Sequence, residues 1–297
     1  MNSPIYATWC ISDNIGDALT PWLIKQITGQ TPIYVPPDVE YPKYMLCGSM
    51  LNHAIRYTTV WGAGFACEKD QTSRDIHCLA VRGPLVARIV RSEVGPPVEV
   101  IGDPSLLLPD LYNKPVEKKY KVGICPHYLH QAEAMAWLAG RTDIAFINVF
   151  DEPHTFITSL QECEVIYSSS LHGLIIADAF GIPSVWIEGT EPLGGDGFKF
   201  DDYLVLRDYV GQDPTLGKLT EFVKNIDVPC FLQKPIQPIH LQQLSTDIDQ
   251  LHEAHKWAAP PDYAEVRKRL WSVCPFEWPR PSLAHDLASH QSMLDEP

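Results

Sequence analysis

Strand-forming runs alternate with helical runs along most of this 297-residue chain, and no other feature restricts the fold as much. Such alternation is typical of parallel sheets whose faces are covered by helices. One series of predicted strands lies between Ile5 and Ile101 and a second between Val122 and Tyr167. Residues 108–121, rich in proline and charge, are predicted to link them. We therefore expect an α/β protein with two domains that face each other across a cleft.

The elements of the two series set the expected domain boundaries. The first domain is predicted at residues 1–112, the second at 118–215, and a helical closing segment with a proline-rich tail at 216–297. Strands are predicted at Ile5–Cys10, Ile33–Val35, Tyr44–Cys47, Thr58–Trp61, Ile76–Val81, Val98–Ile101, Val122–Cys125, Ile144–Val149 and Val165–Tyr167. Helices are predicted at Ala18–Ile27, Pro84–Val90, Ala132–Leu138, Phe156–Glu162 and from near Leu171 to Phe180.

Composition and charge exclude several classes of protein. The formal net charge is −14, and the chain has no basic stripe of the kind that binds nucleic acid. No apolar run reaches the roughly 18 residues of a membrane span, and the first residues lack the layout of a signal peptide. The eight cysteines are scattered without a Cys-x-x-Cys spacing. We expect a protein of the reducing cytoplasm.

Glycines and polar residues gather just after the predicted strands, where open α/β sheets bind their ligands. Strand-to-helix turns also attract Gly, Asp, Asn and Ser for steric and capping reasons, so either explanation suits any single turn. Their recurrence, with Arg and His included, favours a functional site. The turns are Asn14–Asp17, Cys47–Ser49, Gly62–Gly64, Arg82–Pro84, Gly102–Pro104, Pro126–His127 and Ser168–Gly173.

Residues 164–184, EVIYSSSLHGLIIADAFGIPS, place three serines and a histidine between two apolar runs. The first run suits a strand, and the second suits a buried helix that ends at Gly181 and cannot continue past Pro183. The polar centre either satisfies orphan backbone groups or faces a ligand. Unpaired N–H groups at the start of this helix would suit a phosphate.

The order and spacing of several stretches together carry a resemblance to a known family. These are NIGDALTPWL (14–23), GSML (48–51), VWGAG (60–64), AVRGP (80–84), IGDPSLLLP (101–109), ICPHY (124–128), IYSSSLHGLIIADAFGIPS (166–184), GDGFKFDDYL (195–204) and CPFEW (274–278). With them the chain resembles the polysaccharide pyruvyl transferases, most closely the bacterial exopolysaccharide ketal-pyruvate transferases of the xanthan and succinoglycan type.

The resemblance implies a fold like that of GT-B glycosyltransferases, with two Rossmann-like domains. It implies that phosphoenolpyruvate donates its enolpyruvyl carbons to two hydroxyls of one sugar, giving a cyclic ketal and phosphate. The family carries Arg or Ser, then Leu-His, at the centre of this stretch. Here Ser170-Leu171-His172 is the serine version, so the work of the absent arginine must fall on other groups.

Two other functions suit the same architecture. One is a GT-B glycosyltransferase that uses a nucleotide sugar, although no Glu-x7-Glu pair follows the 164–184 stretch and Glu188 and Glu191 are three apart. The other is a non-catalytic protein that binds glycan.

The implied reaction assigns roles to particular side chains. Arg82 is the predicted cation for the trianionic donor, because its planar fork holds a carboxylate or phosphate by two bonds. His172 is the predicted general acid, since histidine ionises near neutral pH. Arg82 and His172 are thus the predicted catalytic residues. Predicted substrate-binding residues are Asn14, Gly16, Asp17, Gly48, Ser49, Gly83, Asp103, His127, Ser168, Ser169, Ser170, Leu171 and Lys199.

The general base is left open by the sequence. Asp17 and Asp103 each stand at a helix start, where capping explains a carboxylate equally well. A solvated lysine is likewise as good an interpretation of Lys199 as a phosphate contact. The candidates for the base are Asp17, Asp103, Asp201, Asp202 and His127.

No cofactor or metal is expected, because ketal transfer needs no redox or electron-sink group and the other histidines lack metal-ligand spacing. The expected partners are phosphoenolpyruvate and a glycan acceptor. If that acceptor is lipid-linked, the protein would work at the inner face of the membrane. The aromatic tail either wraps back onto the first domain or contacts a membrane, and the lack of a basic amphipathic face favours wrapping. Its aromatic residues are Trp257, Trp271, Phe276 and Trp278.

Overall fold

Two parallel sheets with covering helices make up the computed structural model, which describes residues 3–12, 14–94, 98–112, 114–228, 237–255 and 259–276. This confirms the predicted α/β fold with two Rossmann-like units. The predicted strand at Thr58–Trp61 is found with the same bounds. The strands predicted at Val122–Cys125 and Val165–Tyr167 extend over Tyr120–Cys125 and Cys163–Ser168, whereas most of the others are shorter than predicted.

The first sheet has six strands in the order β2-β1-β3-β4-β5-β6, and every pair in it is parallel. The strands are β1 (Tyr6–Ala7), β2 (Ile33–Tyr34), β3 (Lys43–Met45), β4 (Thr58–Trp61), β5 (His77–Val81) and β6 (Val100–Ile101). The helices of this part of the chain are α1 (Ile15–Thr28), α2 (Pro84–Val94) and α3 (Leu108–Leu111).

The second sheet has five parallel strands in the order β11-β10-β9-β7-β8. The strands are β7 (Tyr120–Cys125), β8 (Ile144–Phe146), β9 (Cys163–Ser168), β10 (Ser184–Glu188) and β11 (Ile239–His240). The remaining helices are α4 (Gln131–Trp137), α5 (Pro153–Gln161), α6 (Leu171–Ala179), α7 (Phe198–Gln212), α8 (Leu219–Asn225), α9 (Ile248–His255) and α10 (Ala264–Ser272).

Helix α6 lies between the two halves of the molecule. All nine of its residues are buried, as expected of a helix that is packed on every side. Leu171 and Ile175 of this helix belong to the same apolar core as Leu106 and Leu107, which follow β6. The predicted termination is also confirmed, since Gly181 adopts a φ of 71° just after the helix. The first turn of α6 therefore points toward the carboxyl end of the first sheet.

The chain returns to the first unit after β10. Helix α7 packs against α2 there, and α10 packs against β6. The indole of Trp61 donates a 3.2 Å hydrogen bond to the carbonyl oxygen of Leu270, and Phe276 packs edge-on against Trp61. The predicted wrapping of the closing segment onto the first unit is thus confirmed for residues 264–276. Trp257 and Trp278, and the proline-rich tail from 277 onward, lie outside the described residues.

Two expectations about the chain between these elements were wrong. Residues 108–121 are not all linker, because Leu108–Leu111 forms a short helix and Tyr120 begins β7. The predicted closing segment from residue 216 is not purely helical, because Ile239–His240 adds an edge strand to the second sheet, beyond the predicted limit at residue 215. A two-residue strand is too short to show any periodicity in the sequence. Among the described helices, none has the length and apolar character needed to span a bilayer.

Candidate active site

His172 and Asp103 meet where the carboxyl ends of the two sheets face each other. His172 is in the first turn of α6, and Asp103 follows β6. The Nε2 atom of His172 lies 3.5 Å from Oδ2 of Asp103, and neither atom has another hydrogen-bond partner among the described residues. Both side chains are buried. The arrangement is a carboxylate–imidazole pair in which the carboxylate can orient the ring and stabilise its charged form.

Asp103 is fixed by groups other than a substrate. Its Oδ1 accepts hydrogen bonds from the backbone N–H of Ser105 at 2.9 Å and from the Ser105 hydroxyl at 2.6 Å. Burial alone would raise the pKa of Asp103, but the hydrogen bond and charge of His172, together with Ser105, lower it. Asp103 therefore stays ionised and held in place. Its side chain is fully buried, so Asp103, predicted as a substrate-binding residue or base, reaches the site through His172.

Cys47 completes a group of three side chains that could geometrically hold a metal ion. One ligand atom each from Cys47, Asp103 and His172 lies within 4.8 Å of the others. Burial and the neighbouring carboxylate raise the pKa of the Cys47 thiol well above its ordinary value. The thiol is therefore protonated at neutral pH and lies 3.4 Å from Oδ1 of Asp103 as a weak donor. Since metals bind the thiolate, this donor set favours hydrogen bonding.

The first turn of α1 forms the other side of the histidine. Asn14 caps this helix by accepting a 2.9 Å hydrogen bond from the N–H of Gly16. A Cβ atom at Gly16 would lie 2.5 Å from Nδ1 of His172, so only glycine allows this approach. Asp17 follows, with Oδ2 accepting a hydrogen bond from Asn14 at 2.5 Å and another from Ser12. The predicted residues Asn14, Gly16 and Asp17 therefore lie beside His172.

Asp17 is the half-buried carboxylate of this cluster. Burial raises its pKa, while the Ser12 hydroxyl, His172, Asn14 and Lys199 act in the opposite direction. Gly48 lies on its other side, where a Cβ atom would be 3.9 Å from Oδ1 of Asp17. A carboxylate that is partly accessible and next to a histidine can accept a proton from a bound hydroxyl.

Lys199 supplies the positive charge of the site. It is in the first turn of α7, and its Nζ lies 5.3 Å from the ring centre of Phe200. No hydrogen bond or ion pair to this ammonium group occurs within the described part of the chain. Burial, followed by the nearby charge of Arg82, lowers the pKa of Lys199 to about 8, although Asp17 opposes the shift. A half-buried cation without a counterion among the described residues favours anion binding at this place.

Arg82 has a different place from the predicted one. Its Nε donates a 3.0 Å bond to Asp202, and the two side chains are 1% and 0% exposed. One terminal nitrogen bonds Ser49 Oγ and the other bonds the carbonyl oxygen of Phe65, both at 2.8 Å. Arg82, predicted to bind the donor directly, has its charge paired with Asp202. Its positive charge also lowers the pKa of Lys199.

Two neighbours of this ion pair need the same correction. Ser49 is engaged by Arg82, and a Cβ atom at Gly83 would lie 2.3 Å from the backbone oxygen of Asp202. Neither residue is placed to bind a substrate. The Asp202 carboxylate also accepts a 3.0 Å bond from the N–H of Val86, so Asp202 is a structural residue and not a base.

The three serines before α6 have three different roles. Ser168 Oγ lies 2.9 Å from the carbonyl oxygen of Cys125 and 2.8 Å from that of Ser170, and it accepts a 3.0 Å hydrogen bond from the N–H of Ser170, so it holds the turn. Ser169 Oγ accepts from the N–H of His127 at 2.8 Å and contacts His130 at 2.9 Å. Ser170 is the N-cap residue of α6, and its side chain makes no capping hydrogen bond to the helix. The predicted residues Ser168 and Ser169 thus have hydrogen-bond partners within the protein.

His127, by contrast, keeps an accessible edge. Burial, Lys199 and His130 lower its pKa to about 3, so the ring is neutral at physiological pH. His130, which the sequence did not single out, is buried and joins Ser169 to the carbonyl oxygen of Glu191. Leu171 contributes the first N–H of α6, one of the groups that have no acceptor within the helix.

Asp201 is fully buried within α7 and is no better placed as a base than Asp202. Of the carboxylates predicted as bases, Asp17 alone combines partial exposure with a position beside His172. The site thus consists of an imidazole, a carboxylate, an unpaired ammonium group and a helix N-terminus. Such a set can bind a phosphate and move protons on both sides of it.

A methyl group at position 16 should disturb the histidine without unfolding the protein. We expect Gly16→Ala to lower the turnover number about 10²-fold, because the added Cβ would displace the His172 ring. The control is Gly211→Ala in α7, where a Cβ meets nothing within 4 Å and turnover should be unchanged. Equal turnover for the two variants, each with an unaltered melting temperature, would show that the ring position does not matter.

Comparison with known proteins gives consistent results. The family model described as polysaccharide pyruvyl transferase matches residues 37–190, more than half of the chain. An uncharacterized protein of Acanthamoeba polyphaga mimivirus is 28% identical over 212 residues, which cover 67% of this chain and 73% of that protein. The succinoglycan biosynthesis protein ExoV of Rhizobium meliloti strain 1021 is 30% identical over 205 residues, covering 64% and 60% respectively. No solved structure matches the chain.

Proposed function

Because the chain belongs to the polysaccharide pyruvyl transferase family, we propose that it transfers pyruvate from phosphoenolpyruvate onto two hydroxyls of a sugar. The product is a cyclic ketal on a polysaccharide or on its lipid-linked precursor, and phosphate is released. A relative of the chain takes part in succinoglycan biosynthesis, which supports a glycan acceptor. Such a reaction would take place in the cytoplasm, at the inner membrane face where the acceptor is lipid-linked.

The observation that carries this proposal is the ammonium group of Lys199, which has no counterion among the described residues and acts on the neighbouring Asp17 and His127. A helix N-terminus by itself contributes only about 0.3–1 kcal/mol toward an anion. A full charge at about 4 Å contributes roughly 4 kcal/mol at an effective dielectric of 20. The net charge of −14 does not prevent this, because charges beyond about 8 Å are screened at physiological salt. Lys199, the α6 N–H groups and Ser170 are therefore the proposed seat of the donor's phosphate.

The protons balance with two catalytic groups. Ketal formation removes two hydroxyl protons from the sugar, adds one proton to the methylene carbon of the donor, and returns the other with the leaving phosphate. His172 is the proposed acid for the methylene carbon or for the bridging oxygen, and Asp103 stabilises its imidazolium form. Asp17 is the proposed base for the attacking hydroxyl, since it lies on the opposite side of the imidazole at α1. No metal or cofactor is needed in this scheme.

The direct test is a transfer assay with phosphoenolpyruvate and a panel of terminal galactosides, glucosides and mannosides. Free phosphate and a pyruvate-sized mass gain of the glycan should appear together in a one-to-one ratio, and a chelator should leave the rate unchanged. A nucleotide sugar, offered as the alternative donor, should give no product. Glycan bound without phosphate release, or a sugar transferred from the nucleotide, would refute the proposal.

Donor binding should depend on pH through Lys199. Its folded-state pKa is about 8, so the ammonium form is present below that pH and is lost as the pH rises through it. We expect affinity for phosphoenolpyruvate to fall roughly tenfold between pH 7 and 9, a range in which the phosphate itself stays dianionic. Calorimetric titration measures this directly.

The matched variants for that titration are Lys199→Met and Lys25→Met. Lys199→Met should bind weakly at every pH, whereas Lys25→Met, altered at an exposed lysine in the last turn of α1, should follow the wild-type curve. An unchanged pH dependence in Lys199→Met would show that another group holds the donor.

A further inference from the structure

Two exposed aromatic side chains follow β7 and β8. In the second sheet β7 lies beside β9, the strand that leads to His172, and β8 lies beside β7. Tyr128, 46% exposed, comes after β7, and Phe150, 47% exposed, comes after β8. Large apolar side chains this accessible often mark a binding surface when they stand together at a site. Neither takes part in the proposed chemistry.

The strand order places the loops that carry Tyr128 and Phe150 side by side. In the second sheet β9 is followed by β7 and then β8, and neighbouring strands are about 4.8 Å apart. His172, which follows β9, is therefore flanked first by the Tyr128 loop and then by the Phe150 loop. A 2.8 Å hydrogen bond from Gln131 to Asn148 ties the two loops together.

The loops are also held against the α1 side of the site. The N–H of Ile15 donates a 2.7 Å bond to the carbonyl oxygen of Val149, directly before Phe150. The Tyr128 ring packs on the His127 ring with centroids 4.2 Å apart and planes inclined by 34°. Because the pKa of His127 is lowered and its ring is neutral, this pair forms an uncharged aromatic surface on the loop after β7.

Flat, uncharged aromatic surfaces with nearby hydrogen-bonding groups suit pyranose rings. The C–H face of a sugar packs on an aromatic ring, while its hydroxyls reach polar groups at the edges. The half-buried carboxylate of Asp151, whose Oδ1 accepts a 3.2 Å hydrogen bond from Asn148, lies at the Phe150 loop and offers a polar edge of this kind. A row two strands wide is long enough for more than one sugar unit.

We infer that Tyr128 and Phe150 form an acceptor subsite that binds sugar units beyond the one receiving pyruvate. The acceptor is then an oligosaccharide or a glycan chain end, and a monosaccharide is a poor substrate because it leaves this row empty. The inference rests on the proposed function, since it names the acceptor class for that same site.

A membrane surface is a weaker explanation for the same side chains. The chain carries a net charge of −14, and an anionic bilayer would repel it. Interfacial segments that bind bilayers combine apolar residues with Lys and Arg, whereas the residues around Phe150 include Asp151 and Glu152.

The test compares a monosaccharide glycoside with di- and trisaccharides that carry the same terminal sugar. In the wild type, kcat/KM should rise at least tenfold with the added units. Tyr128→Ala and Phe150→Ala should remove most of that gain through KM for the acceptor, while KM for phosphoenolpyruvate stays the same. The control is Tyr41→Ala, an exposed tyrosine just before β3 at the opposite end of the first sheet, which should keep the gain.

The outcomes separate this inference from the proposed function. The subsite is overturned if pyruvyl transfer occurs without a preference for longer acceptors. It is also overturned if Tyr128→Ala and Phe150→Ala both keep that preference. In either case the proposed function still stands. If no transfer occurs, ligand-observed NMR of oligosaccharide binding still tests the subsite. The wild type should bind the oligosaccharide, and Tyr128→Ala should not. A third outcome would also overturn the subsite. In it, the wild type sediments with anionic phospholipid vesicles, Tyr128→Ala and Phe150→Ala do not, and the acceptor kinetics of both variants are unaltered.

Discussion

Replacing His172 with asparagine is expected to reduce pyruvyl transfer by about 10²–10⁴-fold, the usual contribution of a positioned general acid. Asparagine fills part of the space between Gly16 and Asp103 but cannot deliver a proton at neutral pH. The loss should appear in the turnover number at saturating donor and acceptor, and phosphate release measures it. Near wild-type turnover of His172→Asn would remove this residue from the chemistry.

The controls for that variant distinguish catalysis from folding. His77→Asn changes an exposed histidine at the start of β5 and should retain full turnover. Asp103→Asn keeps the shape of the carboxylate but removes its charge, so turnover should fall while binding of phosphoenolpyruvate is retained. Because Asp103 acts only through His172, the double variant should be no slower than His172→Asn alone.

Breaking the buried pair of Arg82 and Asp202 is expected to cause the largest loss of stability. Removing one partner leaves an unpaired charge in the interior, which costs about 3–5 kcal/mol in the free energy of unfolding. Asp202→Asn also weakens the bond to the N–H of Val86, and with it the contact between α7 and α2. Urea denaturation measures the change.

A surface ion pair provides the comparison for this prediction. Asp249→Asn breaks the contact with Lys121, whose side chain is half exposed, and should lower the free energy of unfolding far less than Asp202→Asn, because solvent screens an exposed ion pair. The double variant Arg82→Met with Asp202→Leu removes both buried charges and should recover much of the stability lost in either single variant. Similar losses for Asp202→Asn and Asp249→Asn would show that the buried pair does not hold α7 in place.

The location of the site could be predicted because it depends on local patterns. Strands with β-branched and aromatic residues, followed by glycine and a polar turn, fix where each carboxyl end lies, as at Trp61 and at Ser168. The start of α6 near Leu171 and its end before Gly181 follow from capping and termination chemistry. These signals are contained within a few residues of each other.

The roles of individual side chains depend on contacts that local patterns do not contain. Arg82 and Asp202 are 120 positions apart, so the sequence could not show that the charge of Arg82 is already paired. Ser168 and Ser169 belong to the same polar run as Ser170, yet their hydroxyls bond to groups on the adjacent strand end. The sequence pointed to Lys199, but the lack of a counterion among the described residues is visible only in three dimensions.

The most direct measurement of the central claim uses phosphoenolpyruvate labelled with ¹⁸O in the bridging oxygen. Ketal transfer breaks the C–O bond, so the account predicts that released phosphate carries the label, that the glycan gains pyruvate, and that Lys199→Met forms neither product. Cleavage of the P–O bond, with the label left in pyruvate and an unmodified glycan, would contradict it.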